Sequence, residues 1–152
     1  MNENTNKTAK EPILEIKNLR VLFPVHKKWY PAVDGVNLSI RPGEITGVVG
    51  ESGSGKSVMS QSILRLRDHD TAVRYEGEIV FEGQDLLKLP LSKMRDIRGD
   101  RISVIFQDPL TSLSPVHTVG KQLSEVLILH RKLSKQEAKK RAVEMLKITG
   151  IP

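Results

Sequence analysis

One short segment of the chain carries residues whose types and spacing can bind phosphate. Residues 50–57 read GESGSGKS and match the pattern G-x-x-x-x-G-K-[ST] of phosphate-binding loops. Glycines let several backbone N–H groups converge on phosphate oxygens without Cβ clashes. Lys56 can reach the β- and γ-phosphates, and the Ser57 hydroxyl can ligate Mg²⁺. The sequence therefore predicts a site for the phosphates of a nucleoside triphosphate and its Mg²⁺, formed by Gly50, Glu51, Ser52, Gly53, Ser54, Gly55, Lys56 and Ser57.

This chemistry requires a strand before the loop and a helix after it. Residues 44–49 form a short β-branched run, which predicts the strand. Residues 56–67 contain neither Gly nor Pro and place Met59, Ile63 and Leu66 on one helical face. The helix would add its N-terminal dipole to the phosphate site. The alternative interpretation, a flexible glycine turn between strand and helix, explains neither Lys56 nor Ser57.

Alternating or continuous apolar runs predict the remaining strands at residues 13–23, 32–40, 77–81 and 101–106. Residues 45–49 and 101–106 are apolar almost throughout, as in strands that are buried on both faces. A short helix is expected at residues 91–98.

The last third of the chain is predicted to be helical. One apolar stripe, expected to face a core, consists of Val119, Leu123, Val126, Leu127 and His130. Ser134 and Glu137 have the spacing of a capping box. The helix they begin would bury Ala138, Ala142, Met145 and Leu146 and end at Gly150. Ordinary packing explains these charged, apolar helices better than membrane binding does.

Composition narrows the classes of function. The chain has 152 residues, no cysteine, 4% aromatic residues and a formal net charge of +6. The missing cysteines exclude disulfides and thiol nucleophiles. Nucleic-acid binding is disfavoured, because stacking platforms need aromatic residues. The polar start of the chain lacks a secretory signal, and no apolar run approaches the ~20 residues that span a bilayer. We expect a cytoplasmic or peripheral protein with no direct membrane insertion.

Three longer segments resemble the ATPase subunits of ABC transporters. They are GVVGESGSGKS at residues 47–57, AVDGVNLSI at residues 32–40 and IFQDPLTSLSP at residues 105–115. The pair Glu51-Ser52 and the DPLTSLSP segment resemble the oligopeptide and dipeptide importers in particular. Val58, which we include in the nucleotide-binding set, resembles the first of the two ATPase paralogues of such importers. The resemblance extends from about Ile13 to Pro152.

The resemblance implies an α/β fold of the P-loop NTPase class and ABC ATPase type. An antiparallel β subdomain and the start of a helical subdomain would accompany the nucleotide-binding core. Gln107 would be the Q-loop glutamine, a catalytic residue that contacts Mg²⁺ and the attacking water. An aromatic residue of the first strands would stack on adenine. Phe23 fits this place best, with Trp29 and Tyr30 as rivals. The implied partners are transmembrane permease subunits and a second ATPase subunit in a head-to-tail dimer, at the inner face of the cell membrane.

Several family motifs do not occur in this sequence. It contains no LSGGQ-type signature, no Walker B strand ending in Asp-Glu and no switch histidine after them. Asp108 follows an apolar run but is separated from it by Gln107 and is followed by Pro109. The four histidines lie at unrelated positions: His26, His69, His117 and His130.

These absences predict the N-terminal portion, roughly half, of a subunit. Residues 1–10 would be a disordered tail. Residues 11–108 would be the N-terminal part of the ATPase core, and residues 109–152 the start of the helical subdomain. We expect ATP binding without hydrolysis by this chain alone, uncovered apolar strand faces and marginal stability. Two alternatives stay open: another P-loop enzyme such as a small kinase, with Asp108 near the γ-phosphate, or a non-catalytic remnant.

Overall fold

The computed structural model describes residues 11–68, 72–108 and 113–151. The predicted tail at residues 1–10 lies outside them, as does His69. The chain divides into two compact units, residues 1–91 and residues 92–152. This division falls inside the predicted 11–108 segment, and the boundary at residue 108 stays a prediction.

The first unit is built on an antiparallel sheet with the strand order β2-β1-β3-β4. Its strands are β1 (Leu14–Val25), β2 (Lys28–Ile40), β3 (Arg74–Phe81) and β4 (Gln84–Asp85). The predicted strands at residues 13–23, 32–40 and 77–81 are therefore confirmed, as is the antiparallel β subdomain. The hairpin between β1 and β2 turns at His26 and Lys27, whose φ angles of 48° and 64° suit a tight two-residue turn.

The core of this unit lies between the sheet and the helix that follows the glycine-rich loop. Helix α1 (Lys56–Ile63) contacts β1 and β2, and its residue Met59 is buried. The most deeply buried side chains of the unit are aliphatic, as expected where apolar surface leaves water. They are Ile16, Leu19, Val21, Ile79 and Leu86.

Two predicted strands are absent from the described part of the chain. Residues 44–49 and 101–106 form no strand ladder, and only an isolated bridge joins Arg98 to Ile102. Ile45, Val49 and Ile105 are 100%, 93% and 98% exposed. An apolar run becomes a strand only when neighbouring strands accept its backbone hydrogen bonds, and no described strand pairs with either segment. The prediction of strands buried on both faces is wrong here, whereas the expected exposure of apolar residues is observed.

The second unit contains helices α2 (Leu91–Ile97, whose first residue belongs to the first unit), α3 (Val119–Arg131) and α4 (Lys135–Ile148). The predicted capping box at the start of α4 is confirmed: Glu137 N–H donates to Ser134 Oγ, and Ser134 N–H donates to the Glu137 carboxylate at 2.9 Å. Hydrogen bonds from the Ser134 hydroxyl, and then from its backbone N–H, lower the pKa of Glu137. Gly150, with φ 81°, ends the helix as predicted, and its N–H donates to the Lys147 carbonyl.

The buried faces of α3 and α4 are narrower than the sequence predicts. Ala138 and Ala142 are buried, but Met145 is 46% exposed. On α3 the predicted stripe is not buried: Val119 and Val126 are exposed, while Leu123, Leu127 and His130 are partly buried. A helix that packs mainly against one neighbour has too little partner surface to cover a stripe about 100° wide. Within the described ranges, no helix is both long and apolar enough to cross a bilayer.

Candidate functional site: the phosphate-binding loop

The glycine-rich loop ends at the N-terminus of α1, where the chain can present backbone donors to an anion. Helix α1 begins at Lys56 after Gly55, which adopts a left-handed conformation and offers no side-chain cap. Its first turn contains no acidic residue. The first N–H groups of a helix have no partner within it, and its dipole places partial positive charge there. This end of α1 therefore has the electrostatics that phosphate requires.

Gly55 lies against the backbone of β2. In the β1–β2 ladder Val21 pairs with Val33 and Leu22 pairs with Pro31, so Ala32 is an extra, bulged residue of β2. A Cβ on Gly55 would clash with the Ala32 carbonyl oxygen and would stand 3.5 Å from Val33 Cγ2. Gly55 also has φ 88°, which L side chains adopt at a cost. Both the space and the conformation at this position demand glycine.

The Lys56 ammonium is the cation at the centre of the loop. Lys56 Nζ donates to the carbonyl oxygens of Gly50 and Glu51, each at 2.7 Å, and lies 3.3 Å from Ser54 Oγ. The Ser54 N–H donates to the Glu51 carbonyl at 3.2 Å, which closes the turn. An ammonium has three donors, and phosphate oxygens can compete with loop carbonyls for them.

The other predicted loop residues are accessible from solvent. Glu51, Ser52, Gly53 and Ser57 are exposed, and Ser57 lies in the first turn of α1. Val58 is partly buried, and its carbonyl accepts a hydrogen bond from Ser62 Oγ at 2.7 Å. The structure thus brings the predicted residues 50–58 together at one helix end and leaves the Ser57 side chain exposed.

A cavity of about 480 Å³ lies between the loop and β2. This volume is within the range of small-molecule sites. It is lined by residues 31–34, Val36, residues 48–50, residues 54–56 and Met59. A larger groove of about 610 Å³ is lined by nine residues of α3, α4 and their flanks, between Thr118 and Lys139. The loop's chemistry, and not cavity size, makes the smaller cavity the candidate site.

The three candidate aromatic residues lie in the β1–β2 hairpin. Phe23 pairs with Tyr30 and Pro24 pairs with Trp29, so Phe23 and Tyr30 share one face and Trp29 lies on the other. Phe23 is partly buried, whereas Trp29 and Tyr30 are 45% and 52% exposed. The guanidinium of Arg67 lies 5.6 Å from the centre of the Phe23 ring. The sequence analysis does not single out Arg67, because no motif relates it to Phe23.

Gln107 lies in the second unit and is exposed, as is Asp108. The predicted roles of Gln107 beside Mg²⁺ and water stay predictions. His26 is a turn residue of the first hairpin, and His117 Nδ1 lies 3.3 Å from Ser114 Oγ. Residues 109–112, within the DPLTSLSP segment, lie outside the described residues.

The α1 helix, its glycine-rich loop and the antiparallel sheet define a P-loop nucleotide-binding protein. The family model described as ABC transporter matches residues 33–152. This chain belongs to the ABC transporter family, as the motif resemblance predicted, and its fold is that of a partial ABC ATPase.

Curated relatives support the predicted branch. The oligopeptide transport ATP-binding protein OppD of Bacillus subtilis is 49% identical over 140 residues, which are 92% of this chain and 39% of that protein. The dipeptide transport ATP-binding protein DppD of the same organism is 46% identical over 142 residues, 93% of this chain and 42% of that protein. This chain spans about two fifths of the length of these relatives.

Solved structures support the same fold. The bacterial ABC transporter cassette MJ0796, solved as a dimer, superposes with a TM-score of 0.72 at 30% identity over 88% of this chain and 56% of the cassette. A second dimeric structure of that cassette, in a post-hydrolysis state bound to ADP and Pi, gives the same TM-score at 28% identity.

We predict that Gly55→Ala disrupts the loop more than Gly53→Ala does. Both glycines have positive φ, 88° and 80°, but a Cβ on Gly53 would meet nothing within 4 Å. Gly53→Ala should lower the free energy of unfolding by about 1–2 kcal/mol, the cost of the left-handed conformation. Gly55→Ala adds the clash with Ala32 and should lower it by ~3 kcal/mol or more. Urea unfolding of both variants measures the difference, and equal losses would contradict the steric argument.

Proposed function

We propose that this chain binds Mg-ATP through residues 50–58 and is the ATP-binding portion of an ATPase subunit that energises peptide import. The observation that carries the proposal is the Lys56 ammonium, hydrogen-bonded at 2.7 Å to two loop carbonyls beside the uncapped start of α1. A full positive charge and the first N–H groups of a helix meet there, which is the environment that a polyphosphate needs.

Each part of the nucleotide then has a proposed contact. Loop N–H groups and Lys56 bind the β- and γ-phosphates, and the Ser57 hydroxyl is a ligand of Mg²⁺. Phe23 is the stacking surface for the base. Gln107 completes the Mg²⁺ environment and orients the attacking water. The cavity between the loop and β2 supports the phosphate contacts, since Gly50, Gly55 and Lys56 are among the residues that line it.

The proposed biological setting follows from the relatives. Those with the names OppD and DppD are ATP-binding proteins of oligopeptide and dipeptide transport. By this similarity the complete subunit couples ATP to the import of peptides at the inner face of the cell membrane. Its partners are transmembrane permease subunits and a second ATPase subunit. The dimeric cassette structures support such a pairing of ATPase subunits.

We propose that hydrolysis requires residues beyond those of this sequence. In-line attack on the γ-phosphate needs a positioned water, and no residue here matches the Walker B glutamate of the family. We expect phosphate release from Mg-ATP by this chain at the background rate. A malachite-green assay of the purified chain measures it, with Lys56→Ala as the control. Turnover that is lost in Lys56→Ala and in Asp108→Asn would instead favour the small-kinase alternative.

We predict that Lys56→Ala weakens ATP binding by about tenfold to a hundredfold. The variant removes the charge-assisted contact, which contributes on the order of 1.5–3 kcal/mol. Isothermal titration calorimetry of the parent and the variant measures the change. Lys93→Ala, which removes an exposed lysine of α2, is the matched control and should leave the affinity unchanged. Equal affinities for the parent and Lys56→Ala would show that the loop is not the site.

We predict that Ser57→Ala reduces the benefit of Mg²⁺ without removing metal-free ATP binding. Mg²⁺ keeps several waters and takes few protein ligands. The loss of one ligating hydroxyl should therefore weaken the binding of ATP only when Mg²⁺ is present. Titrations of ATP in Mg²⁺ and in EDTA give the ratio of the two affinities, which should shrink in the variant. Ser60→Ala, one turn further along α1, should preserve the ratio of the parent. A parental ratio in Ser57→Ala would argue against metal ligation by this serine.

A further inference from the structure

Arg67 connects the phosphate-binding helix to the hairpin that carries Phe23. Its guanidinium carbon lies 5.6 Å from the centre of the Phe23 ring, within the distance of a cation–π interaction. Its Nε donates to Gln61 Oε1 at 3.3 Å, and Gln61 is a residue of α1. Within residues 11–68, 72–108 and 113–151, this is the one cation–π contact that the structure contains.

The contact restricts the orientation of the ring. Phe23 is partly buried near the end of β1, and a phenylalanine ring can rotate about two side-chain bonds unless its neighbours prevent it. A guanidinium plane is rigid and stacks well on aromatic faces. Gln61 is hydrogen-bonded to the same guanidinium, so the Arg67 side chain is already restricted. Its contact with the ring therefore costs less conformational entropy.

The contact also links the ring to the phosphate loop through a single helix. Lys56, at the start of α1, and Gln61 are five residues apart, which corresponds to about 7.5 Å along the helix axis. Arg67 itself follows the end of α1 at Ile63, so its connection to the helix is the hydrogen bond to Gln61. Tyr30 shares the face of Phe23 but is more exposed, and Trp29 lies on the opposite face of the hairpin.

We propose that Arg67 is a positioning residue for the base of the bound nucleotide. It acts through Phe23, by holding the ring as a platform on which the base stacks, and it does not bind the phosphates. Stacking of this kind accepts any base that offers a π face. The proposal rests on the proposed ATP site, since it assigns the base end of the same ligand.

The experiment compares a ligand that has a base with one that lacks it. Isothermal titration measures the Kd of Mg-ATP and of inorganic tripolyphosphate with Mg²⁺ for the parent chain, R67A, F23L and the double variant. We expect R67A to raise the Kd of ATP about two- to fivefold, which corresponds to a cation–π contact at an exposed site. The Kd of tripolyphosphate should stay unchanged. R41A, which removes another exposed arginine of the same unit, should change neither Kd.

The double variant tests whether Arg67 acts through Phe23. If it does, R67A in the F23L background should cause no further loss of ATP affinity. Losses that add in the double variant, or an equal loss for ATP and tripolyphosphate in R67A, would overturn the proposal. An unchanged Kd of ATP in R67A, with tight binding by the parent, would overturn it and leave the proposed function standing. Failure of the parent chain to bind either ligand would instead refute the proposed function itself.

Discussion

The close approach of Gly55 to the Ala32 carbonyl is the constraint on which the site depends. A residue with a side chain cannot stand between the bulge of β2 and the start of α1. The contact lets the first turn of α1 lie directly against the sheet, where Met59 is buried. The antiparallel sheet therefore contacts the phosphate loop through its backbone at Ala32 as well as through side chains such as Val33.

The two halves of the loop are held by different interactions. The half that follows Gly53 is fixed by α1 and by the contact between Gly55 and β2. The half that precedes it follows residues 44–49, which form no strand and in which Ile45 and Val49 are almost fully exposed. Hydrogen bonds from Lys56 Nζ to the carbonyls of Gly50 and Glu51 connect this half to the helix. Lys56 therefore stabilises the conformation of the loop in addition to supplying its positive charge.

Sequence patterns predict those parts of the fold that are determined by interactions between residues close in sequence. Three of these parts are the β1–β2 hairpin, the capping box of Ser134 and Glu137, and the end of α4 at Gly150. The phosphate loop is predictable for the same reason, because one contiguous motif carries all of its groups. The apolar runs at residues 44–49 and 101–106 mislead, since a strand depends on a neighbour that the run itself does not specify. Arg67 is unpredictable because its ring partner lies 44 positions away in the sequence.

Some of the exposed apolar residues lie beside the residues with family motifs. Ile45 and Val49 lead into the loop, and Ile105 and Phe106 lead into Gln107. Exposing such side chains costs free energy in proportion to their apolar area, about 25 cal/mol per Å², so any surface that covers them gains stability. Gly50 and Gln107 directly follow these segments, and covering a segment can restrict the backbone of the residue after it. If it does, binding of the covering surface and ordering of Gly50 or Gln107 are thermodynamically coupled, so each favours the other.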